Sequence, residues 1–83
     1  MTLCILDEVH VVYEGPAVRA HFPGREGEFE IAQDHAPILG LLKKGTIGIV
    51  KREAGSEERF AIPIERGILK GERNRVLALV ELE

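Results

Sequence analysis

The sequence predicts an all-β domain, a flattened sandwich or barrel of about eight to ten short strands. Three observations carry this. Nine glycines and four prolines recur along 83 residues. The apolar runs between them are short and favour Val, Ile and Leu. No segment keeps a helical apolar period for long enough to make an ordinary helix. The length fits one domain over residues 1–83, with no internal repeat or linker.

The elements follow in order. Leu3–Leu6 is an apolar strand, and Asp7-Glu8 breaks it. Val9–Glu14 is the next strand, closed by a Gly15-Pro16 turn. Residues 17–22 alternate: Val18, Ala20 and Phe22 share one face, Arg19 and His21 the other. Pro23-Gly24 and Gly27 mark a turn. Glu28–Ile31 then places Phe29 and Ile31 opposite Glu28 and Glu30. Gln33–Pro37 reads as a bend, in which Asp34 bonds its own backbone and Pro37 holds Ala36 extended.

Ile38–Leu42 fits a strand or a helical turn, and periodicity does not separate them. After a Lys43-Lys44-Gly45 turn, Thr46–Lys51 alternates, with Ile47 and Ile49 inward and Gly48 and Val50 outward. Residues 53–58 form a polar hairpin loop. Arg59–Ile64 returns, with Pro63 suited to an edge or a bulge. Glu65-Arg66-Gly67 reads as a turn, Ile68-Leu69 as a short strand, residues 71–74 as another turn, and Val76–Val80 as the last strand.

Composition narrows the function. Hydrophobic residues make up 45% of the chain, as in globular domains. A net charge of −3 supplies no basic excess to neutralise phosphates, which argues against general nucleic-acid binding. The single cysteine, Cys4, forms no internal disulfide and excludes a Cys-based zinc site. The expected compartment is reducing. Met1–Asp7 has neither the basic region nor the apolar run of a signal peptide. No stretch reaches the roughly 18–20 apolar residues of a membrane span.

A catalytic site finds little support. The single serine, Ser56, lies in the polar hairpin loop, and Cys4 lies in an apolar strand that disfavours its thiolate. His10 and His21 are expected at polar-facing strand positions, and His35 in the bend. Their spacing matches no compact metal motif, so no metal is expected. Gly24-Arg25-Glu26-Gly27 is neither a dinucleotide nor a P-loop sequence. Glu57 and Glu58 read as a solvated loop. Glu26, Glu28 and Glu30 do not make a glycosidase pair in a domain with no room for a deep cleft. With Arg25, however, Glu26 and Glu28 can present charge to a partner from a tight turn. A small enzyme would need His35 to meet Asp34 or Glu28 in a pocket.

The apolar surplus is more informative. Val11, Ile38, Leu39, Leu41 and Leu42 exceed what a small sandwich with one wet face needs. Either the 38–42 strand is buried on both faces, or an apolar face awaits another protein.

At this point three segments together resemble a family. Pro23-Gly-Arg-Glu-Gly-Glu-Phe-Glu-Ile31, His35-Ala-Pro-Ile-Leu39 and Leu42-Lys-Lys-Gly-Thr-Ile-Gly-Ile49 are similar to the N-terminal domain of the ATP synthase epsilon subunit. Gly67-Ile-Leu69 and Asn74–Leu79 follow the same pattern, so the resemblance covers essentially the whole chain. Glu30 and Asp34 stand where the family has glycine, and Arg66 and Lys70-Gly71 also depart from it. The family continues into two C-terminal helices; the resemblance here covers the β-sandwich without that inhibitory arm.

The resemblance implies a non-catalytic rotor subunit in the central stalk, coupling proton or sodium flow to ATP synthesis. It implies that Glu28, with Glu26 and Arg25, meets the polar loops of the c ring. It implies that His35, Pro37, Ile38, Leu39 and Leu42 lie at the gamma-subunit interface. No cofactor, nucleic acid or direct membrane insertion is implied. The location would be peripheral, on the cytoplasmic face of the inner (plasma) membrane. The alternative is a stand-alone β-sandwich binding module.

Overall fold

The apolar runs between glycine and proline fold into strands in the computed structural model, which describes residues 1–33, 35 and 37–83. They are β1 (Thr2–Leu6), β2 (Val11–Pro16), β3 (Arg19–Gly24), β4 (Gly27–Ala32), β5 (Ile38–Leu42), β6 (Gly45–Glu53), β7 (Ser56–Glu72) and β8 (Arg75–Leu82). There is no helix among the described residues. The Ile38–Leu42 ambiguity resolves as strand, paired along its length with β7. The expected bonds of Asp34 and Ala36 in the bend lie outside the described residues.

All eight strands join one continuous sheet, ordered β2-β1-β8-β7-β5-β3-β4, with β6 bridging β3 and β7. The long strand β7 makes this a sandwich. Its first half, from Ser56 to Ile64, pairs with β6. Its second half pairs with β8 on one side and β5 on the other. One layer is therefore β4-β3-β6 with the start of β7, and the other is β2-β1-β8 with the end of β7 and β5. On the open side Tyr13 of β2 meets Phe60 of β7, ring centroids 5.8 Å apart.

The core between the layers is a single apolar cluster. Leu3, Ile5, Phe22, Leu42, Ile47, Ile49, Ile64 and Leu69 are its largest fully enclosed side chains. Each such side chain contributes about 1.5–3 kcal/mol by leaving water. Phe22 also stacks on Phe29 with centroids 5.7 Å apart. Of the residues expected inward, Ala20, Phe22, Ile31, Ile47 and Ile49 lie in this cluster and Phe29 packs against it, whereas Val18 does not and Ala17 is buried there instead.

Three sequence expectations are corrected. Glu65-Arg66-Gly67 is not a turn: β7 runs straight through it. Its register against β8 skips from Ile64 to Arg66, so Glu65 is the extra residue of a bulge. A bulge bends a strand without ending it, and β7 uses the bend to pass between layers. Pro63 lies beside it, on a half-strand whose ladder partner is β6 alone, where a missing N–H costs little. Second, Gly15 and Pro16 belong to β2, paired with Leu3 and Thr2 at the edge of the sheet. Third, Val9 and His10 lie in the connection before β2, because the Asp7 carboxylate captures both backbone N–H groups, at 2.8 and 2.9 Å.

Candidate interaction surfaces

Pairing register fixes what each layer shows to solvent. On the β5-containing layer, Leu41 pairs with Ile68, Ile68 with Leu79, Leu79 with Leu6, and Leu6 with Val11. These five residues form one outward-facing row crossing every strand of the layer, β5-β7-β8-β1-β2. At about 4.8 Å per strand the row is roughly 19 Å long. It is accessible: Leu41 is 53% exposed, Ile68 41%, Leu79 47% and Val11 53%. The next row runs Leu39, Lys70, Leu77, Cys4, Glu14 and is apolar in its centre. A groove of about 760 Å³ runs along the apolar row from Leu41 to Leu6. Leu6, Leu41, Ile68 and Leu79 line it together with Arg25 and Asp7.

The turn between β3 and β4 stands at the same corner. Gly24 pairs with Gly27, so Arg25 and Glu26 are its two tip residues. Gly24 is required there: a Cβ would sit 2.5 Å from the Gly27 carbonyl and 2.8 Å from the Phe29 ring. Gly27 has φ of 136°, open to glycine but strained for other residues. The tip is tied to β5 through Arg25 N–H, which donates to the Leu41 carbonyl at 2.9 Å. Lys43 N–H returns the tie to the Pro23 carbonyl at 2.9 Å. The charged tip is thus held directly beside the end of the apolar row.

The residues expected to act are distributed as follows. Arg25, Glu26 and Glu28 are all exposed at or beside the tip. Glu28 faces away from the core, and its carboxylate pairs with His21 Nε2 one diagonal step across the β3–β4 ladder. Leu39 is an exposed large apolar side chain next to Leu41, and Pro37 is exposed just before it. Ile38 and the His35 ring lie over Gly71, where a Cβ would come within 2.7 Å of Ile38 and 3.0 Å of His35. Leu42 is different. It is 2% exposed and part of the core, because position 42 alternates inward when 39 and 41 face out. It offers no surface to a partner.

Among the described residues the groups tested for catalysis do not assemble; the expected meeting of His35 with Asp34 lies outside them. His10 bonds Asp7 in the β1–β2 connection, His21 bonds Glu28 on β3, and His35 packs beside Gly71. Glu28 therefore meets His21, not His35, in a solvent-exposed pair. The Ser56 hydroxyl donates to the Glu53 carbonyl within the hairpin turn. Burial, and then the Glu14 carboxylate beside it, push the Cys4 thiol above its ordinary pKa, which disfavours the thiolate a nucleophile needs.

Residues 1–82 match the family described as ATP synthase, Delta/Epsilon chain, beta-sandwich domain. The chain belongs to this family. It is 33% identical over 81 residues to the ATP synthase epsilon chain of Sulfurimonas denitrificans, covering 98% of this chain and 60% of that protein. It is 37% identical over 71 residues to the ATP synthase epsilon chain of Nitratiruptor sp., covering 86% of this chain and 53% of that one. The chain thus spans between half and three fifths of these two relatives. Among solved structures it superposes with TM-score 0.79 on a chain of the Euglena gracilis mitochondrial ATP synthase OSCP/F1/c-ring assembly. That match has 16% identity and covers 94% of this chain and 48% of the other. A chain of the Tetrahymena thermophila mitochondrial ATP synthase central stalk/c-ring gives TM-score 0.75 at 15% identity, covering 96% of this chain and 62% of that one. At these identities the structural likeness establishes the fold.

The tip and part of the apolar surface are visible in the sequence, but the row is not: Leu6, Ile68 and Leu79 look like ordinary strand residues there. The available signal was the run Val76-Leu-Ala-Leu-Val80, which lacks the polar residue at every second position that a wet outer face requires.

Proposed function

We propose that this chain is the β-sandwich of a non-catalytic central-stalk subunit of a rotary ATP synthase. It couples proton or sodium flow to ATP synthesis by holding partners, with no reaction of its own. The apolar row Leu41–Ile68–Leu79–Leu6–Val11 carries this reading, because an exposed apolar band crossing a whole sheet marks a protein interface. The gamma subunit is the partner assigned to it. Leu39, Pro37, Ile38 and His35 extend the contact at the β5 edge, and Leu42 supports it from inside.

The Arg25–Glu28 tip is the contact with the polar loops of the c ring. Charged groups on a braced turn fix register and orientation more than they add affinity. The His21 bond to Glu28 restrains that carboxylate before it docks. Such a subunit works on the cytoplasmic face of the inner (plasma) membrane as a peripheral component, without inserting into it. No helix among the described residues is long and apolar enough to cross a membrane.

Direct binding to a purified gamma subunit tests the reading. Saturable binding that Leu79→Asp abolishes supports it, and absence of binding to the gamma subunit of the same synthase contradicts it. Glu28→Ala tests the tip: it weakens c-ring docking and leaves the fold intact. An unfolded Glu28→Ala variant would instead make Glu28 structural.

A further inference from the structure

Val50 is only 8% exposed although it faces away from the core. It lies outside the core cluster. In register it stands between Arg19 of β3 and Arg59 of β7. Its cross-strand neighbours on that face are these two arginines, whose side chains are 31% and 67% exposed.

The guanidiniums converge on one carboxylate. Glu57 Oε1 is 3.3 Å from Arg52 Nη2 and 3.8 Å from Arg19 Nη1. Glu57 Oε2 is 3.4 Å from Arg59 Nη2. One carboxylate against three guanidiniums leaves two positive charges uncompensated within the cluster. This occurs on a chain whose net charge is −3. Beside it Arg19 and Arg59 line a groove of about 230 Å³ that includes Gly48 and Val50, with His21 and Glu30 also lining it. Gly48 keeps the base of the groove open. The planar guanidinium forks are pre-organised, so less entropy is lost per hydrogen bond when they close on a ligand.

The geometry points to a binding site for a phosphate-bearing ligand built by Arg19, Arg52 and Arg59, in which the Glu57 carboxylate occupies the oxyanion position until the ligand displaces it. A phosphate group, with a charge near −2 and three acceptor oxygens, fits three guanidinium forks better than one carboxylate does. The site lies near the β6–β7 turn. Because β6 runs antiparallel to β3, this is the end of the layer away from the Arg25-Glu26 tip. The site goes beyond the docking reading, and only the preference for free phosphate over a lipid headgroup rests on that reading, which turns the tip toward the membrane.

The test titrates the 83-residue chain with pyrophosphate at constant ionic strength, following the arginine Nε–Hε and the Val50 and Ser56 amide signals by NMR. Parallel co-sedimentation uses phosphatidylglycerol vesicles. Saturable shifts at Arg19, Arg52 and Arg59 are expected, tightened about three- to fivefold in Glu57→Gln, the scale of an exposed ion pair. They are lost in the double variant Arg52→Gln/Arg59→Gln. Vesicle binding that the same double variant abolishes would assign the phosphate to a lipid headgroup at the same site. Two results overturn the site: no saturation by pyrophosphate or vesicles in Glu57→Gln, or undiminished binding in the double arginine variant.

Discussion

The two outer faces of the sandwich are built from the same strand geometry and carry opposite chemistry. The β5-containing layer shows Leu41, Ile68, Leu79, Leu6 and Val11 in one unbroken row. The β4-containing layer shows Arg19, His21, Glu28, Glu30, Arg52, Glu57 and Arg59. Val50, buried although it faces outward, stands between two arginines. Both layers alternate on the core side, so folding does not account for the difference. A small sandwich needs one apolar face per layer. In the proposed reading the second apolar face on the β5 side answers to a partner, and the charged face to solvent and ions. Val11 and Leu41 stand at opposite ends of the row, so the apolar band spans the layer.

Breaking the shared core should erase the contrast. Phe22→Ala removes a fully buried ring that stacks on Phe29. A loss of about 3–5 kcal/mol is expected by denaturant unfolding, enough to unfold much of a small domain. Both binding activities should fall together.

The next largest effect should separate the faces. Ile68→Asp places a carboxylate within the apolar row, between Leu41 and Leu79. Binding to the gamma subunit should weaken by about 2 kcal/mol or more, roughly 30-fold, while unfolding stability changes by less than about 1 kcal/mol. Calorimetric titration beside a melting curve reads both. An equal loss of stability and binding would mean that the row belongs to the fold.

Glu57→Gln probes the charged face. Its partners are the exposed Arg52 and Arg59 and the half-buried Arg19, so a stability change within about 1 kcal/mol is expected, sensitive to salt. The smallest effect is local and acidic. The backbone N–H groups of Val9 and His10 hold the Asp7 carboxyl below its ordinary pKa. Its stabilisation is therefore complete above the unfolded carboxylate pKa and is lost as pH falls through the lowered folded value. Hydrogen exchange at the Val9 and His10 amides should accelerate in that acidic window, ahead of the strands. Amides that stay protected there would contradict the Asp7 assignment.

Most strands were legible because glycine and proline bound short Val- and Ile-rich runs, and because Ile47, Ile49, Ala20 and Phe22 alternate. The β3–β4 tip was legible from Gly24 and Gly27. Three things were hidden. Glu65-Arg66-Gly67 has turn composition, but pairing with β8 on one side and the bulge at Glu65 keep β7 extended. The parallel pairing of β1 with β8 joins the two ends of the chain, and no local pattern encodes it. The arginine cluster draws residue 19 to residues 52–59, a proximity created only by the β3–β6–β7 register. The apolar row was half visible: Val11 and Leu41 stood out as surplus, whereas Leu6, Ile68 and Leu79 passed as ordinary strand residues. Leu42 was placed on the wrong side because a continuous apolar run does not reveal which residue alternates inward.

The most direct test of the account is the affinity of this chain for the gamma subunit, measured for the natural sequence and for two variants, Leu79→Asp on the apolar face and Arg59→Gln on the charged face. The account predicts that Leu79→Asp abolishes binding while Arg59→Gln leaves it within about twofold, as expected for a residue outside the interface. Binding lost through Arg59→Gln and retained in Leu79→Asp would contradict it.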